Sequence, residues 1–152
     1  MPLLLLKWVH ILAAIIAIGS NVTYGFWLSS ASRNPEVLPF TLKVIKLIDD
    51  RLANRAYGFL ILTGILMLFI LKLPLTTPWL LTSLVIYVGV ILLGLLGYTP
   101  TLKRQIQLIE SKGFNSPEYQ AAARRGTALG ILLAVLAISI VFLMVVKPNL
   151  WS

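Results

Sequence analysis

Cysteine is absent, histidine occurs once, and only 12% of the 152 residues are charged, with five acids in all. The missing thiols exclude a disulfide scaffold, a thiolate zinc site, an iron–sulfur cluster and haem attached covalently through Cys-x-x-Cys-His. The scarcity of charge excludes an ordinary soluble domain, in which about 25% of residues are charged. Disorder is excluded too, because 59% of the residues are hydrophobic and a disordered chain is poor in them. A mean hydropathy of +0.92 leaves more apolar surface than a single small domain can bury. A bilayer is the expected solvent, and the length allows one domain.

Uninterrupted apolar sequence is what the chain has in abundance. A membrane helix needs roughly 20 mostly apolar residues to cross a hydrocarbon core of about 30 Å. Four segments qualify, from about Leu3 to Leu28, Ala56 to Leu73, Trp79 to Tyr98 and Gly126 to Val146, and none holds Asp, Glu or Arg. Lys7 and Lys72 sit near segment ends, where a long stem carries the ammonium to the interface. Trp8, Trp27, Trp79 and Trp151 also fall at segment ends, as an aromatic belt requires. Strands of a barrel would alternate instead. A small-x-small triplet at Ala17–Gly19 resembles a signal-peptide cleavage site. The apolar run continues to Leu28, so the first segment is expected to stay as a span. The sequence thus predicts an all-α, four-helix transmembrane bundle over residues 1–152.

Counting Lys and Arg by connection sets the expected orientation. Arg33, Lys43, Lys46, Arg51 and Arg55 separate spans one and two, and Lys103, Arg104, Lys112, Arg124 and Arg125 separate spans three and four; the other side has Lys7, Lys72 and Lys147. Ten against three places both long connections in the cytoplasm and both termini on the periplasmic side of an inner membrane. The net charge of +8 follows from this bias, and no aromatic–basic stripe points to nucleic acid. Leu38, Leu42, Ile45, Ile48 and Leu52 repeat at helical spacing, so the first connection reads as a helix on the surface or prolonging span two. Pro100 is expected to end or bend span three before a polar helix over Thr101 to Lys112. Ser116, Pro117 and Glu118 read as the cap and first turn of the last helix. The short turn Pro74 to Pro78 makes spans two and three expected antiparallel neighbours.

Lipid tails do not drive helices together, so small residues and interhelical hydrogen bonds must. Span one carries Ala13, Ala17, Asn21 and Gly25 at fourfold spacing; span four carries Gly126, Gly130, Ala134 and Ala137. These faces are expected to meet, with any small face left over suited to a homo-oligomer. The comparable faces are Asn54, Gly58, Ile61 and Ile65 on span two, and Ser83, Tyr87, Val90, Gly94 and Gly97 on span three. No acid falls within a span, which argues against a proton-coupled cation exporter. Ser20 lies about 15 Å along the helix from His10, too far for a nucleophile and its base.

His10, one turn inside Lys7, is the remaining ionisable candidate. A neutral imidazole can ligate haem iron or hold a neighbouring helix by a hydrogen bond. Met144, one turn inside Lys147, and Met67, five residues inside Lys72, are the methionines that could complete a b-type haem site; alternatively both fill gaps.

The segment Leu6-Lys7-Trp8-Val9-His10-Ile11-Leu12 with Gly19, Trp79, the Gly97 to Pro100 exit, and Phe142 to Pro148 resemble a bacterial family of small four-helix predicted integral membrane proteins, a domain of unknown function. The likeness covers nearly the whole chain and implies a fold and a membrane location. Span one is also distantly similar to the copper-resistance D and membrane protoporphyrinogen oxidase group. That resemblance implies a haem-binding role for His10, although the lysine of the oxidase's third helix has no counterpart in Trp79 to Ser83. Two readings result: a non-enzymatic accessory bundle whose pocket takes lipid or quinone, and a haem-binding redox protein. A small transporter or channel ranks below both. Under the first reading the protein purified from haem-replete cells is colourless; a Soret band abolished in His10→Ala would replace it with the second.

Overall fold

In the computed structural model, which describes residues 1–150, the chain forms four long helical rods, with no strand among those residues. The first rod is α1, Pro2–Ala31. The second joins α2 (Leu38–Ile48), a π-helical segment (Asp49–Ala53) and α3 (Asn54–Leu71). The third joins α4 (Pro78–Leu92), a second π-helical segment (Leu93–Tyr98) and α5 (Thr99–Lys112). The fourth is α6, Pro117–Val146. Every rod is long and apolar enough to cross a membrane. At 30 residues, α1 and α6 measure about 45 Å, longer than the hydrocarbon core is thick. The polar connections are therefore largely continuations of the membrane helices. Trp151 lies outside the described residues.

Local chemistry sets the ends. A proline occupies the first turn of α1, α2, α4, α5 and α6, where its missing N–H costs nothing. The Ser116 hydroxyl accepts from the Tyr119 N–H at 3.3 Å, as the sequence leads one to expect. Helices α3 and α6 each stop on a lysine in the left-handed region, Lys72 at φ 50° and Lys147 at φ 51°. Each donates its N–H to the carbonyl four residues back, and a proline follows within two residues. The Lys147 ammonium lies 5.3 Å from the Trp79 ring centre, tying α6 to the start of α4.

Two expectations about phase are refined. Of the end or bend expected at Pro100, the end does not occur: the π segment closing two residues before it absorbs the proline, with the Thr99 N–H bonded five residues back to the Gly94 carbonyl. A widened turn makes room for a ring that would otherwise crowd the preceding turn. The Thr101 hydroxyl donates to the Gly97 carbonyl at 2.7 Å. In the second rod Leu38, Leu42 and Ile45 are buried as their spacing predicts and Asp49 continues their stripe, yet Leu52 is 47% exposed and Ala53 is buried in its place. The π segment, with Asn54 N–H bonded to the Asp49 carbonyl, shifts the buried face by one residue beyond Asp49.

Spans one and four do pack, but the closest pairs are α1 with α3 and α4 with α6. Around the bundle the order is α3, α1, α6, α4, and α3 and α4 make no close backbone approach. Spans two and three are joined by a short turn and stand next to each other around the bundle, but their backbones make no close approach. Ala13, Ala17 and Ala137 are buried and Ala134 is half-buried, whereas Gly25 is exposed and a Cβ there would meet nothing within 4 Å. Gly126 and Gly130 face the third rod rather than α1, against Gln105 and Tyr98 respectively. At the charged end α2 lies on α5, burying Leu38, Leu42, Ile45 and Leu102 almost completely.

The Gly126 contact is the tightest of these: a Cβ would collide with the amide of Gln105, itself 4% exposed. Gly126→Val is expected to destabilise by about 1–3 kcal/mol. Thermal melting in a single detergent should show that loss and its partial recovery on adding Gln105→Ala.

Candidate functional site

Because α3 and α4 are held apart, a cavity of about 380 Å³ opens between them, closed behind by Asn21 of α1 and Leu133 of α6. Gly58 and Gly94 line it, and a Cβ at either would meet nothing within 4 Å. Ile61, Val90 and Ile91 supply apolar wall. Much of the polar lining comes from the two π segments and their neighbours: Asp49 and Asn54 on the second rod, Tyr98 and Thr99 on the third. A π turn redirects side chains that a regular helix would hold in phase, and such turns recur at functional sites.

Two tyrosines bridge the gap. The Tyr87 hydroxyl donates to the Tyr57 carbonyl at 2.6 Å, and their rings sit tilted at 58° with centres 6.4 Å apart. The Asn21 amide in turn donates to the Tyr57 hydroxyl at 2.5 Å. This network spans α1, α3 and α4, so it fixes the width of the opening where no backbone contact does.

Asp49 occupies the charged end of the cavity. It is only 7% exposed, and among the described residues it has no ion pair, since Lys46 pairs with Asp50. Burial, and then the neighbouring Asp50 charge, push its carboxyl up to about 6; Lys46, Asn54 and Thr99 act against that rise. Nearby, on the α1 face that packs against the π segment and α3, Tyr24 is 3% exposed and its hydroxyl has no partner among the described residues.

His10 lies elsewhere. Its Nδ1 is 2.7 Å from the Thr63 hydroxyl, and that hydroxyl donates to the Phe59 carbonyl at 2.6 Å. His10 thereby fastens α1 to α3 with its ring flush against Gly64. Met67 stands one turn beyond Thr63, and Met144 is half-buried on α6; His10, Met67 and Met144 do not line the cavity.

Sequence reasoning assigned Asn54, Gly58 and Ile61 to one face and Tyr87, Val90 and Gly94 to another, and the cavity lies between those faces. It left Asp49 among the charged residues of the first connection and did not place it in the site. The available signal was positional: Asp49 stands eleven residues after Leu38, on the same helical stripe as Leu42 and Ile45.

Residues 4–148 match the profile of a family described as Predicted integral membrane protein (DUF2269). No curated protein and no solved structure matches the chain.

The buried carboxylate makes stability depend on pH in a defined direction. Its native pKa of about 6 exceeds the ordinary 3.8. Above pH 6 both states are ionised and the native one bears the whole cost of burying charge; that cost fades as pH falls towards 4. Asp49→Asn should therefore melt higher than wild type at pH 7.5, by on the order of 2 kcal/mol, and the advantage should vanish near pH 4. An equal advantage at both pH values would assign it to packing.

Proposed function

We propose that this chain, which belongs to the family of predicted integral membrane proteins just described, is a non-enzymatic accessory bundle that holds an amphipathic small molecule, a lipid or a quinone, between α3 and α4. One observation carries the reading: two membrane helices joined by a short turn stand apart around a cavity of about 380 Å³. Ligand sites in proteins measure roughly 300–1,000 Å³, are mainly apolar, and hold a few convergent polar groups. Apolar wall along Ile61 and Ile91 and a polar end at Asp49, Asn54 and Thr99 match the two ends of an amphiphile.

The excess of Lys and Arg in the two charged connections supports placement in a bacterial inner membrane with those connections in the cytoplasm and both termini outside. Gly19 and Gly25, exposed on α1 with open space around them, suit self-association of the bundle. A second reading, haem b on His10 with Met144 or Met67 opposite, draws support from one feature. The Nδ1 hydrogen bond to Thr63 orients the ring and leaves Nε2 as the nitrogen for iron, the arrangement found in metal-ligating histidines.

Gly94→Phe places a ring in the cavity at a position where no neighbour obstructs it. Wild-type protein purified in mild detergent should yield a stoichiometric amphiphile on organic extraction and mass spectrometry, and Gly94→Phe should yield little while melting like wild type. Identical extracts from the two proteins would refute the reading.

A further inference from the structure

A lipid or quinone with no positive charge leaves one feature of the cavity unexplained. Among the described residues Asp49 is the sole charged one in its lining, which contains no Lys, Arg or His. Asp49 is a buried residue, yet Lys46, the nearest lysine of its own rod in sequence, is paired with Asp50. A buried carboxylate without a counter-charge is costly, and an anionic ligand beside it would add repulsion. Arg51 and Arg55, close in sequence, are exposed and do not line the cavity. The polar lining is otherwise neutral, and the phenol rings of Tyr57, Tyr87 and Tyr98 offer the π faces that attract organic cations. The charge also lies at one end of the cavity, with Ile61 and Ile91 towards the apolar middle of their rods.

We infer that the cavity takes a lipophilic organic cation, whose positive group sits at Asp49 among the tyrosine rings and whose apolar body lies along α3 and α4. The inference rests on the cavity being a ligand site, as proposed above, and specifies the class of ligand. Asp49 supplies the missing counter-charge in both directions: the cation relieves the unpaired carboxylate, and the carboxylate selects the cation from other amphiphiles of the same size.

Tetraphenylphosphonium and tetraphenylborate have the same shape and opposite charge, so their comparison isolates the sign of the site. Equilibrium dialysis against detergent-purified protein, with protein-free micelles subtracted, should show the cation bound more tightly than the anion by about tenfold or more. Asp49→Asn should remove that preference, Asp50→Asn should keep it, and Gly94→Phe should weaken both probes. Equal binding of the two probes to wild type, or a preference that survives Asp49→Asn, overturns the inference while leaving the cavity as a site if Gly94→Phe still weakens binding. Binding indifferent to Gly94→Phe overturns the cavity reading and this inference with it. The wild-type comparison needs no variant, so misfolding of Asp49→Asn would not shield the inference.

Discussion

Water reaches this protein only at its ends, and the way the helices hold together changes along their length for that reason. Where water is present, burying large apolar side chains drives association; between lipid tails that drive is lost, and close approach and hydrogen bonds must replace it. The structure follows the boundary. At the charged end, α2 meets α5 through Leu38, Leu42, Ile45 and Leu102, the large side chains most completely buried among the described residues. Across the apolar middle the buried positions include the small or hydroxylated Ala13, Ala17, Ser20, Thr63, Ser83 and Ala137 beside the larger Leu80, Val90, Leu133 and Leu143, while residues such as Ile15, Phe69 and Ile138 face outward. The serine and threonine hydroxyls mostly return to their own helix, as Ser20 does to the Ile16 carbonyl and Ser83 to the Trp79 carbonyl. His10 to Thr63 and Asn21 to Tyr57 supply the bonds that cross from α1 to α3.

This division permits an opening within the bundle. A water-soluble four-helix protein would close a gap between two helices by collapsing large side chains into it. Here α1 and α6 pack on each other behind α3 and α4, the lipid offers little incentive to close the remaining face, and the Tyr57–Tyr87 bridge sets its span. The two π segments sit on facing rods at the charged end and contribute Asp49, Gly94 and Tyr98 to the lining. Each has a local covalent or positional correlate: Pro100 lies two residues beyond one, and the other marks the passage from the amphipathic α2 to the apolar α3.

The same boundary explains how an acid comes to lie beside an apolar cavity without interrupting an apolar run. Asp49 belongs to the charged connection in sequence and precedes the apolar segment beginning at Ala56, so hydropathy assigns it to water. In the folded chain the second rod is continuous, α5 and α1 lie alongside, and the residue is enclosed by protein at the rim of the membrane. Its burial is tertiary.

Apolar run length, lysine and arginine counts, and the Ser116-Pro117-Glu118 start were legible from residues alone, because backbone satisfaction in lipid leaves only helices for such runs and because caps are local. The faces that line the cavity were also legible, since Asn54, Gly58, Ile61 and Tyr87, Val90, Gly94 obey helical spacing. Which face met which was not. Small residues record that something comes close without recording what, so Gly126 and Gly130 fit α1 as well as the third rod until Gln105 and Tyr98 occupied them. Helical phase beyond Asp49 also lay outside the pattern, because one π turn shifts every later side chain and is specified by hydrogen bonds five residues apart rather than by composition. Sequence by itself determined the number and length of the rods; the order in which they stand, the gap between α3 and α4 and the enclosure of Asp49 came only from packing four of them together.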